Sequence, residues 1–336
     1  MNKTFLKLAA VALTLGMVSC SPKADDKATE AAEEVPVDTI PADAPTVYYI
    51  KDINPENLMK IYNALGRKAE GNHVAVKLST GEKGNPNHLD ANLIKELVQS
   101  FDGTIIEGNT AYAGARTNTK DHMKVAEEHG FTAIAPVDIL DTEGQISLPV
   151  NGGRRLKEDI VGKDFDKYDF VVVLTHFKGH PMAGMGGSLK NISIGIASPE
   201  GKANIHSGGL TSKLPDAWNN IPADSVFQES MAEAAKAIID NKGAENMLYI
   251  NVANNLSVDC DCVANPAPVE MADLGIFASL DPVAVDRACL DAVRNSPDHG
   301  KVHLLERINS KSGPYILDYA EQIGLGSQKY KLVELK

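Results

Sequence analysis

The chain has 336 residues, of which 43% are hydrophobic and 5% aromatic, a composition that can bury a full core and differs from that of a disordered protein. Lysine and arginine total 33 against 45 aspartate and glutamate residues, which gives a formal net charge of −12. Because an acidic surface repels phosphate backbones and anionic head groups, we expect neither nucleic-acid binding nor electrostatic docking to a membrane.

The first twenty residues predict export. A basic start precedes an apolar run at residues 8–18 that is too short to span a membrane, and the run ends in MVSC, whose cysteine is Cys20. This ending resembles a lipobox, although its usual leucine is Met17 here. We therefore predict a signal peptide at residues 1–19 and a lipid anchor on Cys20, which holds the protein to the bacterial cell envelope, facing the periplasm or the cell surface. An ordinary cleavage site is the alternative.

Residues 20–45 are rich in Ala, Glu, Asp and Pro, and they predict a solvated tether before a domain at residues 46–336. In that domain, short apolar runs alternate with segments of helical period. Strands are predicted at 47–50, 74–78, 104–107, 132–136, 170–174, 247–252 and 274–278. Helices are predicted at 54–65, 89–100, 119–128, 225–239 and 282–295, the last after the N-cap Asp281. The alternation predicts an α/β fold, a mainly parallel sheet covered by helices, in one body or two lobes.

A first polar loop, at residues 77–84, ends the second predicted strand. Its hydroxyl, glycine and lysine groups suit an anion, so we predict that Lys77, Ser79 and Thr80 bind a cofactor or another small anionic molecule. Residues 107–110 end the next strand in a similar way. Ordinary turns also carry such side chains, which is the simpler interpretation of both loops.

The most informative polar residues follow the strand predicted at 170–174. His176, Lys178 and His180 come at its carboxyl end, where ligands of open α/β sheets collect. The sequence GMGGSLK then predicts a tight turn that opens a helix, and helix starts bind anions through backbone N–H groups. The predicted catalytic residues are His176, His180 and Lys190, and the predicted cofactor-binding residues here are Gly186, Gly187 and Lys190.

Three cysteines, Cys260, Cys262 and Cys289, fall close together near the last predicted strands. The sequence DCDC, in which Asp259 precedes the first thiol, combines soft and hard ligands and could hold zinc, iron or part of an iron–sulfur cluster. We predict Asp259, Cys260 and Cys262 as metal ligands. A disulfide between Cys289 and one of the pair and a reactive redox dithiol are the alternatives.

The chain resembles the DUF362 family, uncharacterised proteins often described as iron–sulfur centre proteins. The resemblance lies in HFKGHPMAGMGGSLKNISIGIAS, YINVANNLSVDCDC and DLGIFASLDPVAVDRACLD. Many relatives carry a ferredoxin-like insert with Cys-x-x-Cys motifs, but residues 208–226 of this chain contain no cysteine. The resemblance therefore does not imply a ferredoxin role, and any metal would have to use the CDC motif and histidines.

The stretch HPMAGMGGSLKNISIGIASPEGKANIH is also similar to the core motif of the lactate racemase family, where two histidines and a lysine surround a nickel-pincer nucleotide. The resemblance implies that His180 is an acid/base, that Lys190 tethers the cofactor and that His206 ligates the metal. The arginine typical of that family's phosphate-binding loop is absent from residues 77–84, and Ile194 replaces a proline. The similarity implies a shared site architecture more than the same reaction.

Two functions remain in view. The first is a metal- or cofactor-dependent protein, using zinc, iron, nickel or an iron–sulfur cluster, with redox or isomerase-like chemistry on a small anionic molecule. The second is a lipoprotein that binds such a molecule without converting it. A purely structural role ranks third.

Overall fold

An eight-stranded sheet organises the fold, and helices cover both of its faces. The computed structural model describes residues 40–336. The predicted signal peptide, Cys20 and most of the predicted tether fall outside these residues. Within residues 40–336, no helix combines the length and the apolar composition needed to cross a membrane.

The strands are β1 (Thr46–Ile50), β2 (Val74–Lys77), β3 (Thr104–Glu107), β4 (Val137–Ile139), β5 (Gln145–Pro149), β6 (Glu158–Gly162), β7 (Phe170–His176), β8 (Lys178–His180), β9 (Gly184–Gly186), β10 (Met247–Ala253), β11 (Gly275–Ser279) and β12 (Lys331–Glu334). The α-helices are α1 (Pro55–Ala64), α2 (Ala91–Gln99), α3 (Thr119–Glu128), α4 (Ser188–Ile196), α5 (Pro199–His206), α6 (Leu214–Asn219), α7 (Asp224–Lys242), α8 (Pro282–Asn295), α9 (Lys301–Ser310) and α10 (Tyr315–Gln322).

The strand order of the main sheet is β12-β1-β11-β10-β7-β2-β3-β4. The five strands from β10 to β4 are mutually parallel, and β11 alone runs against its two neighbours. Two antiparallel ribbons, β5 with β6 and β8 with β9, lie outside the main sheet. The prediction of an α/β fold with a mainly parallel sheet is confirmed.

The two faces of the sheet bury separate hydrophobic clusters, as strand alternation requires. On β7, Val172 packs in the cluster that holds α1 and α2, whereas Val171 packs in the cluster that holds α4, α7, α8 and α10. All seven residues of β7 are buried. This central strand therefore reads as a continuous apolar run, which is why it was recognisable in the sequence.

The prediction of a strand at 132–136 is wrong. Residues Phe131–Ala133 form a 3₁₀ turn that buries Phe131, and β4 begins only at Val137. Pro136 has no N–H for a ladder and restricts the residue before it, so the pairing with β3 starts after the proline. The helix predicted at 282–295 is confirmed, because α8 has these bounds and the Asp281 side chain accepts from the Ala284 N–H at 2.9 Å.

Candidate functional site

A cavity of about 490 Å³ lies at the carboxyl ends of the parallel strands. Lys77 ends β2, Glu107 ends β3 and His176 ends β7, and all three line the cavity. The loop that carries the CDC motif follows β10 and adds Cys260 and Cys262 to the same wall. Strand polarity therefore gathers polar groups that are far apart in the sequence.

Most of the predicted site residues line this cavity. They are Lys77, Ser79, His176, His180, Gly186, Gly187, Lys190, His206, Cys260 and Cys262. Two predicted residues do not. Thr80 does not line the cavity, and its hydroxyl donates to the Glu107 Oε2 atom at 2.6 Å. The Asp259 carboxylate accepts from the Ala267 N–H at 3.0 Å and pairs with Arg307 at 3.5 Å. Asp259 thus stabilises its own loop, and the structure does not place it with the other predicted metal ligands.

The cavity wall is strongly cationic. Its positively charged side chains are Lys77, Arg116, Lys178, Lys190 and Lys202, and the carboxylate among the described lining residues is that of Glu107. The chain as a whole carries a net charge of −12, so this concentration of positive charge is local. A low-dielectric cleft lined by one sign of charge attracts ligands of the opposite sign.

Two of these lysines have lowered pKa values. Burial lowers the pKa of Lys77 to about 7, against the opposing effect of Glu107, whose Oε1 atom lies 4.0 Å from Nζ. Burial likewise lowers the pKa of Lys202 to about 8. Lys190 is half-buried, and its ammonium has no hydrogen-bond or ion-pair partner in the part of the chain that the structure describes. A bound anion would favour the charged forms of Lys77 and Lys202.

Arg116 adds a guanidinium to the cationic wall. Its NH1 atom lies 3.2 Å from the Glu107 Oε2 atom, which is also 2.7 Å from the His122 Nε2 atom. Burial acts to raise the pKa of Glu107, but Arg116 and His122 outweigh it and hold that pKa well below the usual range. Glu107 is therefore an anion that orients the cationic wall, and it is not a proton carrier at neutral pH.

His176 is fully engaged by the chain's own groups. Its Nδ1 atom lies 2.7 Å from the Asp261 Oδ1 atom, and its Nε2 atom lies 2.7 Å from the backbone oxygen of Asn254. Lys178 pairs with the other oxygen of Asp261 at 3.0 Å. Since both ring nitrogens face acceptors, His176 holds the CDC loop in place and does not suit the predicted catalytic role.

His180 presents a donor to the cavity. Its Nδ1 atom accepts the N–H groups of Met182 and Ala183 at 3.1 and 2.9 Å, so the neutral ring carries its proton on Nε2. Burial, reinforced by the charge of Lys190, lowers the pKa of His180 to about 4, which keeps the ring neutral. An imidazole that already holds its proton on the exposed nitrogen is a hydrogen-bond donor, and it does not suit the acid/base role that the resemblance implies.

The donor atoms of His180, Cys260 and Cys262 lie within 4.8 Å of one another, so this group could hold a metal ion. All three cysteines of the described region are free thiols, and Cys289 lies apart from the cavity in the core, 3.6 Å from the Asn251 amide. A hydrogen bond from Cys262 lowers the pKa of Cys260 well below its ordinary value, helped by Lys178. The neighbouring Cys260 and burial raise the pKa of Cys262 well above its ordinary value, so Cys260 is the more acidic thiol of the two.

The Nδ1 atom of His206 is a hydrogen-bond donor, whereas that of His180 is an acceptor. The His206 Nδ1 atom lies 2.7 Å from the Lys202 backbone oxygen and donates to it, which leaves a lone pair on Nε2. The ring packs between Phe227 and Trp218, with centroid separations of 4.8 and 5.2 Å. Burial lowers the pKa of His206 to about 3. His206 is thus a neutral ring whose Nε2 atom can accept a proton or a hydrogen bond, and its role as a metal ligand stays a prediction.

The start of α4, predicted to bind an anion, is occupied by a carboxylate of the chain. Asp286 accepts the N–H groups of Ser188 and Leu189 at 2.7 and 3.0 Å. A Cβ atom at Gly187 would lie 2.4 Å from the Asp286 carboxyl carbon, so only glycine allows this approach. Gly187 therefore admits a structural contact, and the N–H groups of Ser188 and Leu189 at this helix start are already bound by the chain itself.

Sequence reasoning missed several lining residues. Lys202 precedes His206 by four residues on α5, so their shared helix face was a usable signal. Arg116 and Trp218 come from loops and short elements after β3 and α5, where no local pattern announces a ligand. Asn191, whose Oδ1 atom accepts from the Lys77 Nζ at 3.0 Å, follows Lys190 on α4 and was a candidate by that position.

Comparison with known proteins gives a family and little more. No curated protein matches the chain. Among solved structures, the lactate racemase apoprotein from Thermoanaerobacterium thermosaccharolyticum is 16% identical, with a TM-score of 0.44, over 73% of this chain and 56% of that protein. A protein from Thermotoga maritima is 14% identical, with a TM-score of 0.42, over 73% of this chain and 61% of that one. The chain thus spans less than two thirds of either. Residues 74–291 match the family described as "Domain of unknown function (DUF362)", and the chain belongs to that family.

Proposed function

We propose that the chain binds a small anionic molecule in the cationic cavity and acts on it with a bound metal ion or cofactor. The observation that carries the proposal is the buried cationic wall. Lys77, Arg116, Lys178 and Lys202 each expose 6% of their surface or less. Burying a charge without a counter-charge is costly. Glu82, Glu107 and Asp261 offset three of the five positive charges, so a ligand with one or two negative charges would complete the balance.

Two groups of side chains support the metal or cofactor part of the proposal. The His180, Cys260 and Cys262 donors are grouped closely enough for zinc or iron. On another part of the wall, His206 offers an Nε2 lone pair, and Lys190 offers an amine that has no partner among residues 40–336. Both would suit a cofactor with its own metal. Such a group would supply redox or isomerase-like chemistry. The metal content of the purified protein is compared with that of its Cys260→Ser and His206→Gln variants. The variant that loses the metal identifies the group of side chains that holds it.

Trp218 gives a direct test of anion binding, because it is the only tryptophan in the chain and it lines the cavity. We expect its fluorescence to change saturably with inorganic phosphate or malonate. Lys190→Ala should weaken the better of the two by about tenfold, or ~1.4 kcal/mol, since it removes an unpaired cation from the wall. Lys83→Ala is the matched control, because this exposed lysine pairs with Glu128 away from the cavity. No saturable change, or equal affinity in both variants, would contradict the proposal.

A binding lipoprotein without turnover is the second candidate, and the same anion site supports it. Incubating the purified protein with a ligand identified by the fluorescence titration, then analysing that ligand by mass spectrometry, separates the candidates. Conversion supports the first, and unchanged ligand at full occupancy supports the second.

We also propose that the protein is anchored to the cell envelope by lipid on Cys20. The support is the basic start, the apolar run at residues 8–18 and the MVSC ending. In bacteria that express the full chain, Cys20→Ala should abolish incorporation of labelled palmitate and release the protein from the membrane fraction. Cys262→Ala should keep both properties. Equal labelling of the Cys20→Ala protein would exclude the anchor.

A further inference from the structure

The two cysteines of the CDC motif are arranged as a pair that faces the cavity. Cys260 and Cys262 are separated by one residue, their sulfurs lie within 4.8 Å of each other, and both line the cavity wall. Asp261 between them is fixed by His176 and Lys178, at 2.7 and 3.0 Å. The two sulfurs lie within 4.8 Å of each other, and an S–S bond is about 2.05 Å long. A movement of the loop by no more than about 3 Å therefore joins them.

The orientation of His180 favours thiol chemistry over metal ligation at this pair. A metal-bound histidine ordinarily donates its second ring N–H to the protein. His180 does the reverse, because Nδ1 accepts two backbone N–H groups and Nε2, which carries the proton, lies 4.0 Å from the Cys262 sulfur. Metal binding through Nε2 would require removal of that proton. As a donor, the same N–H stabilises negative charge on sulfur as bonds to sulfur break.

We infer that Cys260 and Cys262 form a redox pair that reduces a small anionic disulfide bound in the cavity. The inference rests on the proposed anion binding, which selects the substrate. The Cys260 sulfur attacks one sulfur of the bound disulfide, whose S–S bond breaks, and the proton of Cys260 leaves with the first thiol product. The Cys262 sulfur then attacks Cys260 in the mixed disulfide, and the proton of Cys262 leaves with the second thiol product. The dithiol loses two electrons, the disulfide gains them, and a low-molecular-weight thiol would return the pair to its reduced form.

Two disulfides of similar size and opposite charge test the inference. The reduced protein is mixed with 3,3′-dithiodipropionate, which carries two carboxylates, or with cystamine, which carries two ammonium groups. We expect the first to release two thiols per protein, to leave a protein lighter by two hydrogen atoms, and to react at least tenfold faster than the second. Cys262→Ser should stop at a mixed disulfide with one thiol released. Cys289→Ala, which changes a cysteine outside the cavity, should react as the unmodified protein does.

The outcomes separate this inference from the proposed function. Equal rates with the two disulfides would leave the redox pair standing and contradict anion binding. No protein disulfide with either reagent, while malonate still changes the Trp218 fluorescence, would overturn the redox pair and leave anion binding intact. Release of two thiols by Cys262→Ser would also overturn the pair.

Discussion

Asp286→Ala is expected to lower the free energy of unfolding by about 3 kcal/mol, measured by urea denaturation. The Asp286 carboxylate is 1% exposed and accepts three hydrogen bonds, from the Ser188 and Leu189 N–H groups and from the Asn251 amide at 2.8 Å. Alanine would leave these three donors buried without an acceptor, and each unsatisfied buried group costs about 1 to 3 kcal/mol. Because the same contacts fix the start of α4, the variant should also bind anions more weakly through displaced Lys190.

A matched control is Asp90→Ala, which removes another aspartate that caps a helix. Asp90 is exposed and accepts the Asn92 N–H at the start of α2, where water can replace it. We expect a clearly smaller loss of stability and an unchanged anion affinity. If the two variants lost the same stability, the Asp286 contact would be an ordinary helix cap and not the support of the site.

The second large effect is a change in how stability depends on pH. The Asp159 carboxylate on β6 is fully buried, and neither oxygen has a hydrogen-bond partner among the described residues. Burial raises the pKa of Asp159 to about 8, with Lys202 opposing the shift. The folded protein therefore binds a proton that the unfolded chain releases near pH 4. The contribution of Asp159 to the free energy of unfolding is fully present below that pH. It is lost, at about 1.4 kcal/mol per pH unit, as pH rises toward 8.

Asp159→Asn removes this titration. Relative to the unmodified protein, its free energy of unfolding should rise by roughly 3 to 4 kcal/mol between pH 5 and pH 8, whatever the constant cost of burying the amide. Asp121→Asn is the control, because hydrogen bonds from Lys124 and Asn118 lower the pKa of that exposed carboxyl. The titration of Asp121 therefore lies below the window, and the profile of this variant should stay parallel to that of the unmodified protein from pH 5 to pH 8. Parallel pH profiles for Asp159→Asn and the unmodified protein would show that Asp159 is ionised in the folded state.

The sheet was predictable from the sequence where a strand is buried on both faces. All seven residues of β7 and of β10 are buried, and most of them are apolar. The short length of these runs and the turn residues beside them indicated strands. The reversal of β11 was not predictable, since no local pattern records the direction of a strand. The ribbon of β5 and β6 was missed because only part of each strand is buried, which leaves a weak hydrophobic signal.

The site was predictable to the extent that its residues follow strands. His176, His180 and Cys260 were found because strand ends in parallel sheets converge. Their roles were not predictable, because a role depends on which partner meets each ring nitrogen. Asn254 occupies one nitrogen of His176, and Ala183 occupies one nitrogen of His180, and both contacts appear only in the folded chain.

The cavity wall is assembled from segments that extend from Lys77 in β2 to Cys262 after β10. No fragment of the sheet contains all of them, so a ligand that binds here binds only the complete native state. Such a ligand raises the melting temperature by mass action, with about 2.7 kcal/mol of added stability at a hundred times its dissociation constant. A thermal-shift screen of anionic metabolites can therefore identify the natural ligand before any reaction is known.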